Sequence, residues 1–357
     1  MISNQTKMVS KTPRDSNLEL YRIICMFLIV CHHYIARSGL TSNLLPENAD
    51  SINSLFYWLL SMWGKAGINC FMLITGYFMC KSNITWQKFW KLILQIYFWK
   101  IMIFCAFHIA GLDPMTPKRL LGILLPVYGF NHNFTSCFIV FWLTIPFWNI
   151  FIRNISERQH VLLTALLLSC YTGLTWLPGF DVTFNYVSWF GVIYLIASYI
   201  RLYPKSIFEK RWVWGLATGL TLLASVASVV GMHFLFKDKQ HFWITDSNMI
   251  MAVLVSVTSF LLFRTFKFQS RIINTIASAA FGVLLIHSGS RAMMTWLWGD
   301  VVDVSGHFDT PYFYLYSIGC CMAIYIVCTI IELLRIKLIE PLYMNPINKH
   351  YADRTNK

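Results

Sequence analysis

The densest set of chemistry-capable side chains lies early in the chain. The run Asn17-Leu18-Glu19-Leu20-Tyr21-Arg22 is followed by an apolar stretch that ends at His32-His33. Eleven helical steps of 100° separate Arg22 from His33, within about 20° of three full turns, so one helix face carries both, about 16 Å apart along the axis. A guanidinium at one station can neutralise or orient a phosphate-rich group. An imidazole, with an unperturbed pKa near 6.5, can move a proton at neutral pH. The plain alternative is an arginine snorkelling to one headgroup layer and a histidine marking the other. His32 stands next to His33, and either ring could act.

Other basic groups sit where an apolar environment makes them costly. His287 and Arg291 are one turn apart on a shared face, after the small-residue run Ser278-Ala279-Ala280-Phe281-Gly282. Such a pair could support a second reactant or an oxyanion; a packing histidine is the competing reading. Lys65 and Lys100 are further bases inside apolar runs, and His108 ends one of them. Lys88 and Lys91, one turn apart, suit a phosphate-bearing ligand or simply the basic edge of a membrane helix. The ten cysteines are scattered and show no zinc-type spacing, so no metal site is expected.

The elements that must hold these groups follow from composition. Of 357 residues, 57% are hydrophobic and only 13% charged, against about a quarter charged in soluble domains. Apolar runs of roughly span length cover 18–37, 54–80, 87–110, 134–152, 160–177, 184–202, 211–236, 247–266, 275–298 and 311–334. Segment 118–130 is apolar but too short to cross, which suits a re-entrant or interfacial piece. This predicts an all-α polytopic membrane protein with about ten transmembrane helices. A polar tail over 1–17, one membrane domain over 18–336 and a tail over 337–357 complete the expected layout.

The loops alternate in charge. One side carries Lys7, Lys11, Arg14, Lys81, Arg153, Arg158, Arg201, Lys205, Arg264, Lys267, Arg271, Arg335 and Lys337, with Lys349, Arg354 and Lys357 beyond. The other holds few bases (Arg37, Lys118, Arg119, Lys237, Lys239) and most of the acids, among them Glu47, Asp50, Asp113, Asp181, Asp238, Asp300, Asp303 and Asp309. Lys/Arg bias sets orientation, so both ends are expected in the cytoplasm. The net charge of +13 is then cytoplasmic loops against anionic lipid, not a nucleic-acid surface. The residues before the first apolar run carry no cleavage site for a removable signal.

The first helix resembles that of the membrane-bound acyltransferase-3 family, whose mark is an arginine followed after ten residues by a histidine, here Arg22 and His33. Gly64-Lys65-Ala66-Gly67-Ile68-Asn69-Cys70-Phe71-Met72-Leu73-Ile74-Thr75-Gly76-Tyr77 is similar to the family's second-helix pattern. Ala280-Phe281-Gly282-Val283-Leu284-Leu285-Ile286-His287 resembles its late Phe-Gly-x-Tyr-Leu-x-His pattern, with Leu for Tyr. The resemblance implies transfer of an acyl group, usually acetyl, from cytoplasmic acyl-CoA to a hydroxyl of a surface or lipid-linked glycan, in a bacterial inner or cytoplasmic membrane. It implies catalytic roles for Arg22 and His33, donor binding by Lys88, Lys91 and Lys100, and support from His287, Arg291, Lys65 and His32. Lys88 and Lys91 stand where the family has arginines, which keeps charge and loses the bidentate fork. Some family members carry an extracytoplasmic esterase-like domain; here such a partner would be a separate protein. A transporter or flippase for a polar solute is the rival class, since buried His and Arg also build proton relays. A membrane protein without chemistry is the third.

Overall fold

The computed structural model describes residues 15–40, 51–128, 133–176, 184–235 and 241–355, all helix and connection with no strand among them. The bases Lys7, Lys11, Arg14, Lys237, Lys239 and Lys357, the acids Glu47, Asp50, Asp181 and Asp238, the 1–14 part of the N-terminal tail and the 129–130 end of the expected re-entrant segment lie outside the described residues.

Helix α1 (Ser16–Ala36) is the central post. It packs on α2 (Ile52–Ser61) and α3 (Gly64–Met79), and on α10 (Ile250–Arg264), α11 (Arg271–Ser278), α12 (Ala280–His287) and α15 (Phe313–Leu334). The sequence explains how closely α3 can approach: a Cβ built on Gly64 would lie 2.0 Å from the Cβ of His32. Any side chain there would push the two helices apart. A second layer is formed by α8 (Tyr186–Leu202), which is almost wholly buried and lies between α3, α6 (Phe134–Arg153) and α7 (Glu157–Leu168). Helix starts are set by short polar caps. Thr85 accepts from Lys88 N to open α4 (Trp86–Ile109), and Ser156 with Gln159 forms a capping box before α7.

Apolar side chains face outward as well as inward. On α9 (Arg211–Leu235), Leu216, Leu220 and Leu223 are 58%, 57% and 67% exposed, a stripe at helical spacing. Lipid, not water, is the solvent such a stripe fits.

Among the described residues five helical stretches are long and apolar enough to cross a bilayer: α1, α4, α6, α9, and the continuous stretch of α15 with α16 (Glu340–Thr355). A sixth arises if α11–α12 and the segment from α13 (Arg291–Thr295) through α14 (Val304–His307) count as one span, bent by 92° at a break of a few residues. The other expected runs differ in form. Run 54–80 is interrupted at Met62-Trp63, and run 160–177 gives the twelve-residue α7 followed by a π-helical turn (Ser169–Gly173) and a 3-10 turn (Leu174–Trp176). Helices α8 and α10 are apolar but shorter, at 17 and 15 residues. Among the described residues of segment 118–130 the only helix is the eight-residue α5 (Pro117–Leu124), too short to span.

Candidate active site

Arg22 and His33 lie along α1 as the periodicity predicts, but they belong to different surroundings. Arg22 opens onto a cavity of about 1030 Å³ at the start of α1. Its Nη1 pairs with Glu19 at 2.6 Å, one turn before it on the same helix. Lys88, Lys91, Arg271, Arg335 and Lys337 line the same space, so six basic groups face two acids, Glu19 and Glu340. Deeper in, the walls turn apolar, through Phe71, Phe138, Trp142 and Phe281. Such a cavity suits a ligand with several anionic groups at one end and an apolar tail at the other.

One wall of this cavity rests on a buried ionic cluster. Glu332 is fully buried and accepts four hydrogen bonds: Gln95 Nε2 at 2.8 Å, Trp99 Nε1 at 2.7 Å, and Arg335 Nε and Nη2 at 2.9 and 2.8 Å. Arg335 also reaches Glu340 at 2.9 Å and Tyr343 Oη. Lys91 Nζ donates to Glu340 at 2.5 Å. Both carboxylate oxygens are thus satisfied, as burial of a charge requires. Gly282 makes room for it: a Cβ at this position would meet Glu332 Cδ at 2.2 Å. Gly282→Ala is expected to destabilise the protein by about 1–3 kcal/mol, the usual range for overpacking. A thermal-unfolding midpoint in detergent equal to wild type would contradict this packing. Sequence reading directed at buried bases misses Glu332. The available signal is an acid near the end of the apolar run 311–334, a position where an ionisable side chain is costly.

His33 sits beyond this cavity, paired with His287. His33 Nδ1 and His287 Nε2 are 2.8 Å apart, and His287 Nδ1 lies 2.6 Å from the carbonyl oxygen of Val283. A carbonyl only accepts, so His287 Nδ1 carries a hydrogen and donates it. In the neutral ring that leaves His287 Nε2 as an acceptor, and His33 Nδ1 must donate to it. The lone pair of His33 is therefore on Nε2, which has no protein partner among the described residues. His287 is fully buried whereas His33 is part-exposed. The buried ring of His287 orients the part-exposed ring of His33 by a shared hydrogen bond, as a third group orients the base in acyl-transfer triads.

His32 is not part of this chain of bonds. It packs against Gly64 of α3, and its Nδ1 is buried without a partner among the described residues. Lys65 is also elsewhere: its Nζ bonds Tyr186 Oη at 3.0 Å and Asp246 at 3.1 Å, tying α3 to α8 and to the loop before α10. Arg291 lies past the break after His287, and among the described residues no hydrogen bond joins it to the histidine pair. Lys88 and Lys91 share the large cavity, but Lys100 does not. It lines a second one of about 470 Å³ with Arg119, Ser288, Ser290 and Arg291, and its Nζ donates to Gly122 O at 2.9 Å. The nearest α4 residues of the two cavities are Gln95 and Lys100, five residues or about 7.5 Å apart along the helix. No group of three or more metal-ligating side chains occurs among the described residues.

The model of the acyltransferase-3 family, described as an acyltransferase domain, matches residues 15–332. The chain belongs to that family. This acyltransferase is a membrane-bound enzyme, and the matched segment takes in α1, α3 and α12 with every group in the histidine pair. No curated protein and no solved structure matches it.

Proposed function

We infer that this acyltransferase moves an acyl group, acetyl first among them, from a cytoplasmic acyl-CoA to a hydroxyl of a cell-surface or lipid-linked glycan across a bacterial cytoplasmic membrane. The observation that carries the reading is the bond sequence from Val283 O through His287 to His33, which leaves His33 Nε2 with a lone pair and a fixed direction. An acyl-CoA carries its phosphates and its thioester at opposite ends of a long flexible arm, which suits two stations on one helix face.

In this reading Arg22, Lys88 and Lys91 meet the phosphates in the large cavity. His33 Nε2 takes the proton of the acceptor hydroxyl as its oxygen attacks the thioester carbonyl. The carbon–sulfur bond breaks, and the leaving thiolate takes up the proton. Should His33 carry the acyl group instead, Nε2 is the attacking atom, and a pre-steady-state burst of free thiol before acceptor is added separates the two routes. The orientation is N-in and C-in with ten crossings, which requires α3, α7, α8 and α10 to cross along with the longer helices and α11–α12.

One feature favours the rival transporter class: the 92° break after His287, since broken helices are common in carriers. Purified protein in detergent, given labelled acetyl-CoA and a glycan extract, separates the two. Release of coenzyme A with label in the glycan supports the enzyme; label that stays on coenzyme A supports the carrier. Arg22→Lys tests the donor end. A guanidinium can hold Glu19 and a phosphate at once, whereas an ammonium presents a point charge. The expected result is a rise of about tenfold in the KM for acetyl-CoA, about 1.4 kcal/mol. A KM equal to wild type would reduce Arg22 to a cation.

A further inference from the structure

The second cavity lies at the His33 end of the bundle, where the loops are poor in bases, yet bases converge on it. Lys118 and Arg119 are two of the five loop bases assigned to that side. Lys100 joins them from within α4, and Arg291 from just past the break after His287. Against these four stands one acid, Asp113, a formal net charge of +3. Asp113 is already engaged by Arg119 Nη2 at 2.6 Å. The Nε of Arg119 is buried without an acceptor, and its guanidinium lies 5.4 Å over the ring of Phe104. Lys100 is only part-exposed, and among the described residues no carboxylate pairs with it.

Snorkelling accounts for any one of these side chains, but not for four that face one space with a single counter-charge. A concave, low-dielectric pocket of one sign concentrates its field and draws an oppositely charged ligand. Ser288-Gly289-Ser290, the residues that directly follow His287, line it. The lining thus begins one residue after the ring that orients His33.

We propose that this cavity binds an anionic acceptor, and that Lys100, Arg119 and Arg291 hold its phosphate or carboxylate group while a neighbouring hydroxyl is presented to His33. The inference rests on the acyl-transfer reading and narrows it: the glycan, or the lipid link that carries it, supplies the negative charge. Lys100 and Arg291 act here as binding groups for the acceptor. The rim cation Lys118, exposed, adds to the field without holding the ligand.

The test is binding of four small probes to the purified full chain in detergent, read by saturation-transfer NMR. The probes are glucose, glucose 1-phosphate, glucuronic acid and farnesyl phosphate. Wild type is expected to bind at least one anionic sugar about tenfold more tightly than glucose, a margin of about 1.4 kcal/mol. That margin should shrink as salt is raised and vanish in the K100Q/R291Q double variant. Lys118→Gln, a change at an exposed position, should lower the margin by about twofold and guards against a misfolded double variant. A preference for glucuronic acid alone places the charge on a glycan carboxylate. Equal binding of farnesyl phosphate and glucose 1-phosphate places it on the lipid link. Glucose binding as tightly as the anions, or a margin that survives K100Q/R291Q, overturns the proposal. Coenzyme A binding by the wild type is measured alongside. If coenzyme A binds and the sugars show no charge preference, the anion site alone falls. If the preference holds and coenzyme A does not bind, the acyl-transfer reading falls and the anion site stands.

Discussion

His33→Ala is expected to lower acyl transfer about a thousandfold, within the range attributed to a positioned general acid–base, while the protein still inserts and binds coenzyme A. The bond sequence makes the prediction specific to one ring. His33 is the only member with a lone pair directed away from the chain of donors, so nothing replaces it when it is removed. His287→Ala frees the His33 tautomer and rotamer but leaves the base in place. A smaller loss, about a hundredfold, is expected there. His287→Gln, able to accept from His33 Nδ1 again, should recover part of it. His32→Ala is expected to retain most activity, since that ring packs on Gly64 and has no bond to the pair. The readout is labelled acetyl incorporated into glycan per mole of folded protein. Normal incorporation by His33→Ala would remove His33 from the chemistry, and loss in His32→Ala equal to that in His33→Ala would reassign the base.

The second large effect concerns Glu332. Its removal leaves Arg335, 3% exposed, without two of its hydrogen-bonded contacts, although Glu340 and Tyr343 remain. Breaking a buried pair from one side costs about 3–5 kcal/mol. Glu332→Ala is accordingly expected to unfold in detergent at a markedly lower temperature and to reach the membrane in reduced amount. Glu332→Gln retains the shape and one acceptor, so its loss should be smaller. Replacing both partners, as Glu332→Leu with Arg335→Met, removes the uncompensated charge and should restore much of the stability. Arg335 also lines the large cavity, so the restored protein should still bind coenzyme A more weakly than wild type. A Glu332→Ala protein as stable as wild type would show that the cluster contributes no net stability.

Much of this arrangement is legible in the sequence because helical geometry is local. The Arg22–His33 face follows from residue count alone, and the membrane character follows from apolar runs that a soluble chain could not carry. The Gly64 and Gly282 positions follow from patterns whose physical reason is a close helix approach, visible only once the partner is known to be His32 or Glu332. Pairing between distant segments is not local. That His33 meets His287, 254 residues away, depends on how α12 leans on α1, and no periodicity encodes it. The same holds for the three lysines Lys88, Lys91 and Lys100. They lie on one helix, but α5 and the break after His287 build a separate cavity around the last of them. Span lengths were the least legible: hydropathy reports an apolar run, whereas a turn such as Met62-Trp63 inside it depends on the helix packed opposite.

The fit of Gly282 against Glu332 also constrains how this protein can change over generations. A side chain at 282 is blocked while Glu332 stays long, and a shorter residue at 332 strands the buried guanidinium of Arg335. Each single step out of the present arrangement is therefore harmful, and an escape needs at least two substitutions at once, the acid with Arg335, before position 282 is released. Sequences descended from this one should keep the acid and the arginine together or lose them together, and keep the glycine for as long as the acid stays, even where the surrounding lipid-facing residues drift freely.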